Sequence, residues 1–139
     1  MEGKKLDAEF TARVEELPNV KAFIDRCFIE TGCSRSIMKS ILVSVEEVFV
    51  NIASYAYAPG TGSVRICFEL TDPPPAARIT FFDRGIPYDP LAHDDPDLML
   101  SVEDRPIGGL GIFITKMSMD SLSYRYEDQQ NILSMSKKL

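Results

Sequence analysis

Leu6, Ala8, Phe10 and Ala12 alternate with polar residues near the start of the chain, the two-residue period of a half-buried strand. Pro18 follows where a helix can begin, and the spacing predicts a helix over about 17–31 that stops at Gly32, since glycine readily takes the left-handed conformation past a helix end. Ser34 is placed to cap a second helix, in which Ile37, Met38, Ile41, Leu42, Val45, Val48, Phe49, Ile52 and Ala56 recur with a period of about 3.6 residues. Pro59, Gly60 and Gly62 end it. From Ser63 the period changes to two: Val64, Ile66, Phe68 and Leu70 alternate with Arg65, Cys67 and Glu69, and residues 79–82 form a second short strand after the prolines at 73–75, together a hairpin. A short helix over 112–119 precedes two alternating runs, 121–126 and 132–138, that read as a closing hairpin. Residues 83–105 carry prolines, a cluster of acids and little periodicity, which is long for a structureless connection and typical of functional loops. This order of elements predicts an α+β fold with a mixed, mostly antiparallel sheet and helices on one face.

The 139 residues suit one domain, because a chain of this size can bury a sufficient core without disulfides or metals. No repeat and no linker divides the chain, so residues 1–139 are expected to form a single unit. Hydrophobic residues at 45% with 26% charged mark a soluble globular composition. Fifteen Lys and Arg against 21 Asp and Glu leave a net charge of −6, which argues against a general grip on nucleic acid or anionic membrane but leaves room for a local basic pocket. Cys27, Cys33 and Cys67 are odd in number and form no C-x-x-C pair, so they read as reduced, buried thiols. The opening MEGKKLDAEF has no apolar core, and the apolar stretch 41–57 is broken by Glu46, Glu47 and Asn51. Neither a signal peptide nor a membrane span is expected, and a cytoplasmic location follows.

Three clusters could carry chemistry. At about 100° per residue, Ser40, Ser44, Glu47, Asn51 and Ser54 fall in one stripe beside the apolar face of the second helix. Alone, that spacing fits a solvated flank as well as a site; its chemistry would be oxygen-rich, with an Asn oxygen on a hard cation such as Mg²⁺ and a Glu that orients or deprotonates a nucleophile. Asp83-Arg84-Gly85-Ile86-Pro87-Tyr88-Asp89 directly follows the strand at 79–82. An Asp there can project beside the sheet edge and accept a hydrogen bond from an amine, although the same composition also makes an ordinary turn. Gly108-Gly109-Leu110-Gly111 precedes the helix at 112–119; glycines at a helix start suit phosphate, and a flexible loop is the plain alternative. No G-x-x-x-x-G-K-[ST] occurs, the glycines do not follow a strand as a dinucleotide fingerprint would, and His93 among Asp94, Asp95 and Asp97 lacks zinc-ligand spacing.

In combination, Glu47-x-x-x-Asn51 on a helix, Asp83-x-Gly85-x-Pro87-Tyr88-Asp89 after a strand and Gly109-x-Gly111 opening a helix resemble the N, G1 and G2 boxes of the GHKL (histidine-kinase-like) ATPase superfamily. The short domain and the D-x-G-x-P-[FY]-D form of the second box look most like the RsbW-like anti-sigma-factor serine/threonine-protein kinases. The resemblance covers nearly the whole chain and implies a two-layer α/β sandwich of the Bergerat type, with an ATP lid at about 90–107. It implies ATP or ADP with Mg²⁺ as cofactors: Asn51 as the Mg²⁺ ligand, Glu47 as the general base, Asp83 as acceptor of the adenine amino group, and Gly85 as the point where the purine approaches the backbone. Gly108, Gly109 and Gly111 would surround the phosphates, and Arg105 is a candidate contact to the terminal one. The implied function is phosphoryl transfer to a serine of a STAS-type anti-anti-sigma partner, in a partner-switching regulator able also to hold a sigma factor. A nucleotide-gated binding protein without useful kinase activity is the alternative, and a homodimer is left open. Tyr88 in place of Phe, and Gln129-Gln130-Asn131 in place of a Gly-Asn turn, depart from the family pattern without an expected loss of nucleotide binding.

Overall fold

A computed structural model describes residues 5–92 and 109–139. Its elements are β1 (Lys5–Thr11), α1 (Leu17–Thr31), α2 (Met38–Asn51), β2 (Ser63–Thr71), β3 (Ala76–Asp83), α3 (Gly109–Ser118), β4 (Ser121–Glu127) and β5 (Gln130–Lys138). The strands form one sheet in the order β1-β2-β3-β5-β4. Every pairing among them is antiparallel, so the mostly antiparallel sheet expected from the sequence contains no parallel pair here.

Register turns the alternating patterns into one continuous apolar face. Leu6, Ala8 and Phe10 stand opposite Phe68, Ile66 and Val64; Ile66 and Phe68 stand opposite Phe81 and Ile79; those two stand opposite Leu133 and Met135. α1 and α2 lay Phe23, Ile24, Phe28, Ile41, Val45 and Phe49 into the same core. Phe10 meets Phe23 edge-on at 5.9 Å between ring centroids, and Phe28 meets Phe68 at 5.6 Å. The opposite sheet face is built of polar and charged pairs, such as Arg78 with Glu69 at 3.1 Å and the Thr80 and Ser134 hydroxyls at 3.0 Å. Helices on one side and a polar surface on the other is the two-layer arrangement that antiparallel sheets permit.

α1 has the expected bounds, and Gly32 ends it in the left-handed region at φ 67°. Ser34 does cap, its hydroxyl accepting from the Ser36 N–H, but what it opens is a 3-10 turn at Arg35–Ile37 that runs into α2. β3 begins at Ala76 rather than at 79, because Ala76 and Ala77 find ladder partners in Thr71 and Leu70; pairing overrides alanine's weak strand propensity. α3 begins at Gly109 rather than 112, so Gly109 and Gly111 lie inside its first turn instead of before it. Of the expected lid only its start is described, a 3-10 turn at Pro90–Ala92; residues 93–107, with His93 and Arg105, and Gly108 lie outside the described residues. Among the described residues no helix is long and apolar enough to cross a membrane.

Candidate functional site

α2 does not end as a regular helix. Ile52–Ala56 form a π turn directly after Asn51, a wide turn that interrupts the helical period and recurs at functional sites. Up to Asn51 the polar stripe holds: Ser44 is wholly buried, and Ser40, Glu47 and Asn51 are half-buried. Beyond it, Ser54 is carried out to the exposed surface, so it is not part of the stripe. The Ser44 hydroxyl has no hydrogen-bond partner among the described residues.

α3 crosses α2 at this stripe. A Cβ placed on Gly111 would lie 2.6 Å from Glu47 Oε2 and 3.7 Å from Asn51 Nδ2. Any side chain at 111 would therefore occupy the space in front of the Glu47 carboxylate. The turn that carries Gly111 is held by Thr115, fully buried, whose hydroxyl donates to the Gly111 carbonyl at 3.1 Å. Two of the sequence motifs, more than fifty residues apart, thus meet at one place.

The third stands across the pocket. Asp83, at the end of β3, is 6% exposed. Its Oδ1 accepts from the Gly85 N–H at 2.9 Å and from Asn131 Nδ2 at 2.9 Å. The chain then turns tightly against α2: the Ile86 N–H donates to the Ala56 carbonyl at 2.9 Å, and a Cβ on Gly85 would lie 2.3 Å from that same oxygen. The close approach that requires glycine at 85 is thus to Ala56.

Asn131 is the residue that the motifs did not single out. It pairs with Asp83 in the sheet register and is 6% exposed. Its amide donates to Asp83 and to the Ile86 carbonyl at 2.9 Å, and more weakly to the Gly85 carbonyl at 3.4 Å; its oxygen accepts from the Tyr88 N–H at 3.1 Å and from the Tyr124 hydroxyl. Burial pushes the Tyr124 hydroxyl pKa up, which keeps it a donor. A signal was present in the sequence: period-two alternation puts Asn131 on the same face as Leu133 and Met135, a polar amide on an apolar strand face, and such a group needs partners when buried.

Between α2, α3, the turn after Asp83 and the sheet lies a pocket of about 410 Å³, within the range of small-molecule sites. Val48, Ile52, Ala56, Ile112 and Leu133 give it apolar walls; Tyr55, Tyr88 and Tyr124 add flat aromatic surface; Asp83, Asn131 and Asn51 supply its polar points. That arrangement suits a planar heterocycle with an amine, extended toward Glu47 and Asn51. Among the described residues no three His, Cys, Asp or Glu side chains gather as a metal site.

Comparison with known proteins identifies the family. The histidine kinase-like ATPase domain model matches residues 10–137. Serine/threonine-protein kinase BtrW of Bordetella bronchiseptica is 29% identical over 98 residues, 70% of this chain and 68% of that protein. Serine-protein kinase RsbW of Bacillus cereus is 22% identical over 134 residues, 94% of this chain and 82% of that one. In fold, the chain is similar to the crystal structure of the RsbU and RsbW domains of Rv1364c from Mycobacterium tuberculosis, with TM-score 0.67 and 14% identity over 98% of this chain and 32% of that one. With Asn51 and Asp83 lining one pocket and the family match running from the first strand into the last, the chain belongs to the histidine kinase-like ATPase family.

Proposed function

We propose that this protein is an ATP-dependent serine-protein kinase that acts by partner switching, with a STAS-type anti-anti-sigma protein as substrate and a sigma factor as its other partner. The observation that carries the reading is the meeting of Gly111 with Glu47 and Asn51 at the pocket that holds Asp83. The names of the similar proteins, serine-protein kinases, support it. The adenine would lie between the apolar walls with its amine on Asp83. The phosphates would run toward the first turn of α3, where Gly109 and Gly111 offer N–H groups and no side chains; Gly108 and Arg105, outside the described residues, are the further phosphate contacts of this reading.

The Asn51 side-chain oxygen fits a hard cation, and because Mg²⁺ keeps few protein ligands and completes its shell with phosphate oxygens and water, the absence of a larger carboxylate cluster among the described residues is compatible with it. When bound, the ion would neutralise charge on the phosphates. Glu47 would accept the proton of the incoming serine hydroxyl as its oxygen bonds the terminal phosphorus and the bond to ADP breaks, giving phosphoserine and ADP. Catalysis of this kind is chiefly positioning and electrostatics, and a half-buried carboxylate one turn from the cation ligand meets both needs.

Titration calorimetry and a phosphotransfer assay with labelled ATP and a STAS-domain substrate test the reading together. Glu47→Gln is expected to keep ATP affinity within about threefold while transfer falls by about 10² or more, the scale for losing a general base; Asn51→Ala is expected to fail earlier, at Mg²⁺-nucleotide binding. Sound ATP binding with no serine labelled on any STAS partner would instead favour a nucleotide-gated binding protein.

A further inference from the structure

Asp83 is an unusual acceptor because half of its carboxylate is already used. Oδ1 takes two hydrogen bonds, from the Gly85 N–H and from Asn131 Nδ2, while Oδ2 has no partner among the described residues and Asp83 lines the pocket. Asn131 itself is held in place by the Ile86 carbonyl, the Tyr88 N–H and the Tyr124 hydroxyl, so its amide cannot turn to present a second acceptor. The carboxylate is thereby fixed in rotation and offers one oxygen in one direction.

Resting on the nucleotide reading above, we infer that Asn131 is a specificity-determining residue that makes Asp83 a single-oxygen acceptor, suited to a purine with one exocyclic amine and unsuited to the two-donor edge of guanine. Guanine presents its N1–H and N2 amine side by side, a pattern that both oxygens of a carboxylate satisfy together. With Oδ1 saturated, those two donors must share Oδ2 in bent, weaker hydrogen bonds, and a site that pairs a buried donor poorly disfavours that ligand. Adenine presents a single amine donor on that edge, so no second donor competes for the carboxylate. Asn131 acts through Asp83, and its role is positioning.

The test is the ratio of ATP to GTP affinity, measured by calorimetry with Mg²⁺ on wild type and Asn131→Ala, with Asn131→Leu as a variant of similar shape should alanine prevent folding. Wild type is expected to prefer ATP, and the variant to lose at least about tenfold of that preference, by weaker ATP binding with GTP binding held or improved. If Asn131 merely braces the turn, both affinities fall by the same factor and the ratio stays put, which overturns the inference while leaving the nucleotide site intact. If wild type binds neither nucleotide, the nucleotide reading fails, and this inference with it. Circular dichroism at the assay temperature establishes that the variant compared is folded.

Discussion

Gly85 and Gly111 both stand where a methyl group would collide, yet the collisions differ in kind. At Gly85 the obstacle is backbone, the Ala56 carbonyl at 2.3 Å, and neither the π turn nor the strand end can move away without losing the Ile86 to Ala56 hydrogen bond. Gly85→Ala is expected to lower stability by about 1–3 kcal/mol, the usual range for an overpacked site, read as a drop in the midpoint of urea unfolding. At Gly111 the obstacle is the end of the Glu47 side chain, which can swing, and alanine is the better helix former by about 1 kcal/mol. Gly111→Ala is therefore expected to leave stability unchanged or raised, while phosphotransfer falls by about tenfold or more as the carboxylate is displaced. An active Gly111→Ala protein would show that the space in front of Glu47 has no part in the reaction.

The elements that shape the pocket are the irregular ones. A regular continuation of α2 would keep Ser54 on the polar stripe, whereas the π turn sends it to the surface and delivers the Ala56 carbonyl to the turn after Asp83. The β4–β5 hairpin is equally special: Glu127 pairs with Gln130 across a two-residue loop in which Asp128 and Gln129 sit at φ 53° and 61°. Tight hairpins favour this left-handed pair because its twist matches the strands, but glycine or asparagine usually supplies it. Gln129→Gly is expected to stabilise the protein by about 0.5–1 kcal/mol, since relief of the strained backbone exceeds the entropy that glycine adds to the unfolded chain. Thermal melting shows the gain as a higher Tm, and an unchanged or lowered Tm would mean that Gln129 is not strained. The hairpin also brings the Tyr124 hydroxyl of β4 to Asn131 of β5, so it contributes to the site from its far side.

At the scale of the whole molecule, the core makes the three thiols inert. Cys27 is fully buried, and desolvation pushes its pKa up to about 12 from 9.0; burial raises Cys33 and Cys67 as well. The folded protein then keeps protons that the unfolded chain gives up, so Cys27 favours the fold fully below about pH 9 and its contribution is lost as pH rises toward 12, with Cys33 and Cys67 acting in the same direction. Melting curves from pH 7 to 11 are expected to show a falling Tm above pH 9, with a shallower fall in Cys27→Ala; equal slopes would remove the thiol from the explanation. Much of this architecture was legible in the sequence. Periods of two and about 3.6 placed both helical segments and both hairpins, α1 to the residue, and the spacing of Glu47, Asn51, Asp83, Gly85, Gly109 and Gly111 pointed to the family that the chain belongs to. Local pattern carries that much because each strand or helix declares which side it will bury. What it could not carry was the meeting of elements: that Gly111 lies against Glu47, that Gly85 yields to Ala56, and that Asn131 clamps the carboxylate of Asp83. Those contacts join residues separated by about thirty to sixty positions, and they exist only because sheet register and helix crossing bring the elements together, which no single stretch of sequence encodes.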